Sequence, residues 1–352
     1  MIALFHSPVI GQAGCNSAVA AMACVASSKF KQRILVLQLR DNVTPIEKLL
    51  FKKEIASKTI KREEDAFEDT GIDALLIRSN VSLLKPEDFK NFSVSSVTHN
   101  KNLDIVGVTK KTAIEPELNG MFKNVVNLLE KADSMGIYDW IFVVAPGTHS
   151  SFTQSLLATE RLNMVSVMCV PQNAMIIEKE AKTSEFASLF KRQTKEIQKK
   201  KYRTLLLVGN FDVDSKYSPR NIAAGYGFRQ DRICSILHDA HFKDSLSQGD
   251  LFNFIMKNLE NDVDDDIYSF SKYLVEATGK LLIQESREGK IVYTDPLPDR
   301  AKYVHISIDD DDESYYSSDN VNAQNNETTL PVQDSYIDDD DICMDEMDEF
   351  DD

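Results

Sequence analysis

The chain has 352 residues, enough for one large domain or two of ordinary size, and its 42% hydrophobic content is normal for a globular protein. Residues 301–352 contain 18 Asp and Glu against one Lys, so subtracting them from the chain's 56 acidic and 40 basic residues leaves 38 acidic and 39 basic in 1–300. The formal net charge of -16 therefore belongs to the C-terminal tail, and the body is nearly neutral.

The thiols and the N-terminus indicate a cytoplasmic protein. The five cysteines are scattered and form no C-x-x-C pair, which predicts reduced thiols rather than a disulfide framework or a zinc site. The first six residues lack the basic region of a signal peptide. The apolar stretch Ala18–Ala26 is about half as long as a membrane-spanning helix. We therefore expect neither secretion nor membrane insertion.

Strand and helix patterns alternate along the body. Five continuous apolar runs predict buried strands, namely Ile2–Phe5, Arg33–Leu39, Trp140–Val144, Met164–Val170 and Thr204–Gly209. Helical patterns occupy Ser17–Ser28, Glu117–Met135, Ser151–Arg161 and Glu178–Lys201. Continuous apolar strands that alternate with helices predict an α/β fold with a mostly parallel sheet and helices on both of its faces.

The C-terminal segment has a different composition. From Pro296 onward, Asp, Ser, Asn and Gln dominate and the apolar periodicity is lost. Such a segment cannot bury enough apolar surface to offset the entropy of ordering it. The sequence therefore predicts an α/β domain over residues 1–296 and a disordered acidic tail over 297–352.

The turn after the first strand is the strongest candidate for a ligand site. In open parallel sheets ligands bind at the carboxyl ends of strands. Glycines there let backbone N–H groups approach a phosphate, and the next helix N-terminus favours negative charge. The loop runs from Ser7 to Ser17, and its candidate nucleotide-binding residues are Gly11, Gln12, Ala13, Gly14, Cys15, Asn16 and Ser17. A tight strand-to-helix connection without a ligand is the alternative interpretation.

The order of segments over residues 1–260 resembles the MinD/ParA family of deviant P-loop ATPases, most closely its TadZ/CpaE-like branch. The features that carry the resemblance are Ser7-Pro8 opening the loop, the small-residue helix after it, the second strand over 33–42, the segment 67–76, Tyr138-Asp139 before a strand, Asn210 at a strand end, and Asp239 and Gly249 beyond it. The resemblance implies a P-loop NTPase-like fold, an adenine contact at Asn210 and a homodimer.

The chain departs from the family pattern where ATP chemistry needs charge. Cys15 and Ile10 stand at the two lysine positions, and Asn16 stands at the Mg²⁺-binding hydroxyl position, with Ser17 adjacent. Gln38 and Val144 stand where acids would hold the metal. Phosphoryl transfer depends on such cations and acids. We therefore expect no catalytic residues and no required cofactor, and only weak binding of ATP or ADP with Mg²⁺.

These departures predict a catalytically degenerate scaffold that positions or assembles a larger machine. By resemblance, that machine would be a pilus, a secretion system or a conjugative or plasmid element. Two alternatives stay open: an active ATPase whose catalytic residues are relocated, and a DNA-associated partition factor. Each predicts a different result in hydrolysis and DNA-binding assays.

Two charged segments are candidate interaction sites. The acidic tail intersperses single apolar residues among its acids, which predicts binding to the basic surface of a protein partner through Ile342, Met347 and Phe350, with simple solubilisation as the alternative. The basic patch Lys199, Lys200 and Lys201 has three interpretations: a solvated helix end, a DNA contact, or an internal dock for the tail.

Two further clusters have simpler interpretations. Ser150 and Ser151 follow His149 without a nucleophile elbow around them, so we expect a helix N-cap. His238 and His241 flank Asp239 with no third ligand recognisable, so we expect a surface turn and no metal.

Overall fold

The computed structural model describes residues 1–9, 11–39, 45–51, 71–81, 84–93, 100–107, 120–173, 175–176, 204–226, 232–260, 269–285 and 291–293. All of them lie within Met1–Tyr303. The helix predicted over 178–201 and the whole tail, 297–352, lie outside the described residues.

Seven parallel strands form the main sheet. They are β1 (Ile2–His6), β2 (Ile34–Gln38), β3 (Leu103–Val106), β4 (Trp140–Val144), β5 (Met164–Pro171), β6 (Thr204–Phe211) and β7 (Ile233–Leu237). Their spatial order is β3-β2-β4-β1-β5-β6-β7, and each neighbouring pair is parallel. The predicted α/β class with a parallel sheet is confirmed.

Nine helices with the bounds below, a helical segment over residues 46–51 and a small hairpin accompany the sheet in the described part of the chain. The helices are α1 (Cys15–Ser28), α2 (Ile72–Val81), α3 (Pro86–Asn91), α4 (Phe122–Ser134), α5 (Ser151–Ala158), α6 (Pro219–Tyr226), α7 (Ala240–Gln248), α8 (Leu251–Glu260) and α9 (Phe270–Leu282). The hairpin pairs β8 (Ile283–Glu285) with β9 (Ile291–Tyr293) antiparallel. Among these helices none is both long and apolar enough to cross a membrane.

The sheet is covered on both faces because side chains alternate along each strand. In β1, Ala3 and Phe5 belong to the hydrophobic cluster that contains α1, α8 and α9. Ile2 and Leu4 belong to the cluster on the opposite face, which contains α2, α4 and α5. The central strands are therefore buried on both sides, as their uninterrupted apolar sequences require.

Helix α1 lies inside the first layer and starts at the candidate loop. Ala18–Ala26 is buried throughout, which fits an Ala-rich helix that is apolar on every side. The helix begins at Cys15, two residues before the predicted Ser17, because Gly14 adopts the left-handed conformation of its N-cap. Helix α5 ends at Ala158 rather than at the predicted Arg161, because Thr159 is extended.

Candidate functional site

Two left-handed glycines shape the loop between β1 and α1. Gly11 and Gly14 have φ of 80° and 61°, a region that L side chains rarely adopt. No side chain caps the start of α1, and no acidic residue lies in its first turn. An anion beside this helix start would therefore meet backbone N–H groups and the positive end of the helix dipole without a competing carboxylate.

Side chains within the loop stabilise its own backbone. The Ser7 hydroxyl donates to the Val9 carbonyl at 3.0 Å and accepts from the Val9 N–H at 3.1 Å. The Ser17 hydroxyl donates to the Gly14 carbonyl at 2.8 Å. Ser17, the one hydroxyl next to the position expected for a Mg²⁺ ligand, therefore holds the start of α1. Gly11 and Gln12 are exposed, whereas Ala13 and Asn16 are buried.

The end of β6 lies directly against this loop. A Cβ atom built on Gly209 would lie 2.3 Å from the Ala13 carbonyl oxygen, so only glycine fits between the strand and the loop. The next residue, Asn210, is exposed and has φ of 56°. The register between β6 and β7 shifts between Val208 and Phe211. The structure therefore brings Asn210 beside the loop, where the resemblance predicted an adenine contact.

In the structure, two positions where the resemblance implies an acid are used for packing. Val144 ends β4 with only 1% of its surface exposed, and its side chain belongs to the core that contains α1. Gln38 ends β2 fully buried, and its side-chain oxygen accepts from the Ile46 N–H at 2.9 Å. Ile10 lies outside the described residues. Neither Val144 nor Gln38 therefore presents a carboxylate to a metal at these strand ends.

Cys15, at one of the lysine positions that the resemblance implies, has a thiol that faces the interior. It is half-buried and contacts Cys169 of β5, which is completely buried. The hydrogen bond to Cys15, together with burial, raises the pKa of the Cys169 thiol well above its usual value. Cys169 and Cys234 both lie opposite Leu207 of β6, so these thiols occupy one row across the sheet. Cys15 therefore extends the apolar core up to the loop.

A buried histidine beneath the loop was not predicted as part of the site. The two ring nitrogens of His6 lie 2.8 Å from the Thr148 hydroxyl and 2.9 Å from the Ser166 hydroxyl. Thr148 also donates its N–H to the Ser7 carbonyl. Burial lowers the pKa of His6 to about 4, so the ring is neutral at pH 7. His6 joins β1, β5 and the turn after β4 at the carboxyl edge of the sheet.

Glu47 is a second unpredicted group at this edge. Its carboxylate lies against Gly107, at the end of β3, and burial raises its pKa. One of its oxygens has no hydrogen-bond partner among the described residues. In the sheet order, β2 and β4 separate β3 from β1. Because its neighbour Ile46 bonds Gln38 at the end of β2, this acid lies at the ends of β2 and β3, with β4 between β2 and β1.

The other predicted clusters have structural roles or lie outside the described residues. Ser150 is the N-cap residue of α5, as predicted, although its hydroxyl makes no cap bond. Asp239 caps α7 by accepting from the Phe242 N–H at 2.6 Å, between the exposed His238 and His241. Within the described part of the chain, no three potential metal ligands converge. Lys199, Lys200 and Lys201 and the tail residues Ile342, Met347 and Phe350 lie outside it.

The chain is similar to known proteins in its structure, whereas comparisons of its sequence find no match. No protein-family model matches the chain, and no curated protein sequence is similar enough to match it. A ParA family ATPase from Chlorobium tepidum is similar in structure, with a TM-score of 0.54 and 15% identity over 79% of this chain and 98% of that one.

Two further solved structures have the same fold. A chain of the MinC:MinD cell division protein complex from Aquifex aeolicus has a TM-score of 0.53 and 12% identity, over 84% of this chain and 98% of that one. The ATP complex of Cyanothece McdA has a TM-score of 0.53 and 14% identity, over 80% of this chain and 95% of that one. The chain therefore has the fold of the ParA/MinD-type P-loop ATPases.

Proposed function

We propose that this protein is a catalytically degenerate scaffold of ParA/MinD type, closest to the TadZ/CpaE-like branch, that positions or assembles a larger machine. The observation that carries the proposal is the burial of Val144, an aliphatic side chain in the core at the strand end where the family's metal-binding acid belongs. Without that acid, Mg²⁺ has no anchor between the protein and a bound triphosphate.

The phosphate side of the site supports the same proposal. The segment Ser7–Ser17 contains no Lys or Arg, so nothing in the loop itself neutralises the charge of a triphosphate. Charge-assisted hydrogen bonds contribute roughly 1.5–3 kcal/mol each, and losing several weakens binding by orders of magnitude. The remaining contacts to phosphate would come from the backbone of Gly11 and Gly14 and from the start of α1. Weak binding of ATP or ADP, without turnover, is the expected behaviour.

The alternative of a relocated catalytic acid has one specific candidate, Glu47. Its carboxylate lies at the carboxyl edge of the sheet, and one of the two oxygens is buried without a hydrogen-bond partner among the described residues. It packs on Gly107 at the end of β3, and its neighbour Ile46 bonds Gln38 at the end of β2, with β4 between β2 and β1. A metal ligand must reach the phosphates held by the loop, whereas the carboxylate of Glu47 is packed on Gly107. This contact favours the scaffold over the active ATPase.

The proposed scaffold acts as a homodimer and recruits its machine through the acidic tail. The tail carries about 17 net negative charges, and Ile342, Met347 and Phe350 would add apolar contacts that salt does not weaken. The similar MinD chain is part of a complex with MinC, which is a precedent for a protein partner on this fold. Pilus, secretion and conjugative or plasmid machines all fit this proposal.

The proposal is tested by separating nucleotide binding from recruitment in living cells. Gln12→Asp puts a negative charge on the exposed part of the loop and repels phosphate, whereas Gln248→Asp adds the same charge at the exposed end of α7 as a control. A fluorescent fusion of the scaffold should keep its localisation in both variants and lose it when residues 305–352 are removed.

The opposite pattern would contradict the scaffold. If Gln12→Asp disperses the fusion while Gln248→Asp does not, localisation depends on bound nucleotide, as in a working switch ATPase. If localisation instead follows the nucleoid and is lost in a Lys199→Glu, Lys200→Glu, Lys201→Glu variant, the DNA-associated partition factor is the better assignment.

A further inference from the structure

An open groove runs along the outer edge of β7, away from the loop. Its volume is about 520 Å³, and it lies between α6 of one helical layer and α9 of the other. Within the described residues, β7 ends the sheet and has β6 as its one neighbour. The groove therefore occupies the place where a further strand of the sheet would lie.

The backbone of β7 presents hydrogen-bonding groups to this groove. The ammonium group of Lys280, on α9, donates a hydrogen bond of 3.3 Å to the Ile233 carbonyl. This carbonyl therefore points away from β6. On the side of β7 that faces β6, the His238 N–H donates to the Phe211 carbonyl at 2.7 Å. In a parallel sheet, alternate residues direct both backbone groups to the same side. Ser235, two residues after Ile233, therefore directs its N–H and C=O into the groove.

The charge of the groove is positive. Arg220 and Lys272 are exposed on its two walls, and neither forms an ion pair among the described residues. The single carboxylate on its lining, Glu276, is held by Lys280 at 2.8 Å. Two cations thus have no counter-charge within the groove. A ligand with two negative groups would therefore complement the charge of the groove.

The floor of the groove is apolar. Ile233 is 7% exposed, and Tyr273 packs against Phe211 with ring centroids 6.1 Å apart. Apolar side chains beside an unpaired strand edge, flanked by cations on both walls, suit an extended chain that carries both apolar and acidic residues. Successive side chains of such a segment would point toward α6 and toward α9 in turn, so acids at neighbouring positions would reach Arg220 on one wall and Lys272 on the other.

We infer that the β7 edge groove binds an extended, acidic segment of a partner protein, which adds to the sheet as a further strand. The strand addition uses the backbone of Ser235, and the segment's carboxylates pair with Arg220 and Lys272. Strands β5 and β6 separate this groove from β1 and its loop, so the inference does not depend on nucleotide binding or on the proposed scaffold.

Charge recognition is tested with a short fluorescent peptide in which pairs of Asp alternate with pairs of Val, so that an extended chain carries carboxylates on both faces; it is titrated with the full chain and followed by anisotropy. Arg220→Glu and Lys272→Glu should each weaken binding about fivefold or more at low salt, and the effect should shrink as salt is raised. Lys257→Glu, an exposed lysine on α8, is the matched control and should leave binding unchanged. Equal binding by all three variants, or no binding to the unaltered chain, would overturn the inference.

Strand addition is tested separately from charge. A peptide of the same sequence with every backbone amide N-methylated keeps its carboxylates but has no backbone N–H to donate to a strand edge. It should bind at least tenfold more weakly, and the unmodified peptide should slow hydrogen exchange at the Ser235 amide. Equal affinity of the two peptides, with unchanged exchange at Ser235, would show surface charge attraction without strand addition.

Discussion

At the scale of single residues, His6 shows how a polar group is tolerated at the centre of this sheet. The ring is buried, and one nitrogen donates while the other accepts in the pair of contacts to Thr148 and Ser166. A second proton would remove the acceptor and place a charge in the core. The lowered pKa of His6, about 4 against 6.5, reflects that cost.

The first prediction concerns pH and stability. Because its pKa is lowered by folding, His6 binds a proton more readily in the unfolded chain, so stability should fall as pH drops from 6.5 toward 4. The contribution of His6 to this loss should be about 2–3 kcal/mol. Urea unfolding at several pH values should show a smaller loss in His6→Asn than in the unaltered chain. The exposed His241→Asn is the control, and equal pH profiles for all three proteins would refute the role of His6.

Gly209 is a second residue whose role depends on one contact. Gly209→Ala places a methyl group 2.3 Å from the Ala13 carbonyl, so either β6 or the loop must move. We expect a loss of roughly 1–3 kcal/mol in the free energy of unfolding. Gly120→Ala is the matched control because a Cβ there meets no atom within 4 Å. Thermal unfolding of both variants checks this, and a loss no larger at Gly209 than at Gly120 would contradict the contact.

At the scale of elements, the strands that could be predicted from sequence are those without an interruption. β1, β2, β4, β5 and β6 each consist mainly of apolar residues, and the structure places all five as predicted. β3 was not predicted because Asp104 interrupts its short apolar run, and β7 was not predicted because Ser235 does the same. Both exceptions have a tertiary cause. Asp104 is hydrogen-bonded to Tyr138, which lies just before β4, and Ser235 lies on the edge strand of the sheet.

The pairing of Asp104 leads to a prediction about how β3 is held. The Tyr138 hydroxyl donates to the Asp104 carboxylate at 2.6 Å, and Asp104 is 4% exposed. Tyr138→Phe would leave this carboxylate without its partner and should cost roughly 1–3 kcal/mol of unfolding free energy. The same change in an Asp104→Leu background should cost less. Tyr217→Phe, at an exposed tyrosine, is the control, and an equal small effect at both tyrosines would argue against the pair.

The candidate site could be predicted only in part. The loop could be located from its glycines and its place after the first strand, because those features are local. The contact of Gly209 with Ala13, the thiol pair of Cys15 and Cys169, and the His6 network could not, because each joins residues far apart in the chain. The sequence shows that Gln38 and Val144 stand where acids were expected. It does not show that Gln38 bonds the Ile46 N–H or that Val144 packs in the core.

At the scale of the whole molecule, charge is separated between the body and the tail. Limited proteolysis should cut near residues 296–308 and leave a stable body of about 300 residues, because apolar periodicity ends after Val292 and prolines follow at 296 and 298. Mass spectrometry of the digest identifies the cut. A full-length chain that resists protease without a partner would contradict the predicted boundary.

The central claim is that this protein keeps the fold of ParA/MinD-type ATPases without their hydrolysis. The most direct measurement is steady-state phosphate release by the purified full-length chain with ATP and Mg²⁺. We predict no release above background. Cys15→Lys should not create any, because Val144 would still leave the metal without its acid. Release that disappears in Gln12→Asp but persists in Gln248→Asp would assign real turnover to this loop and contradict the account.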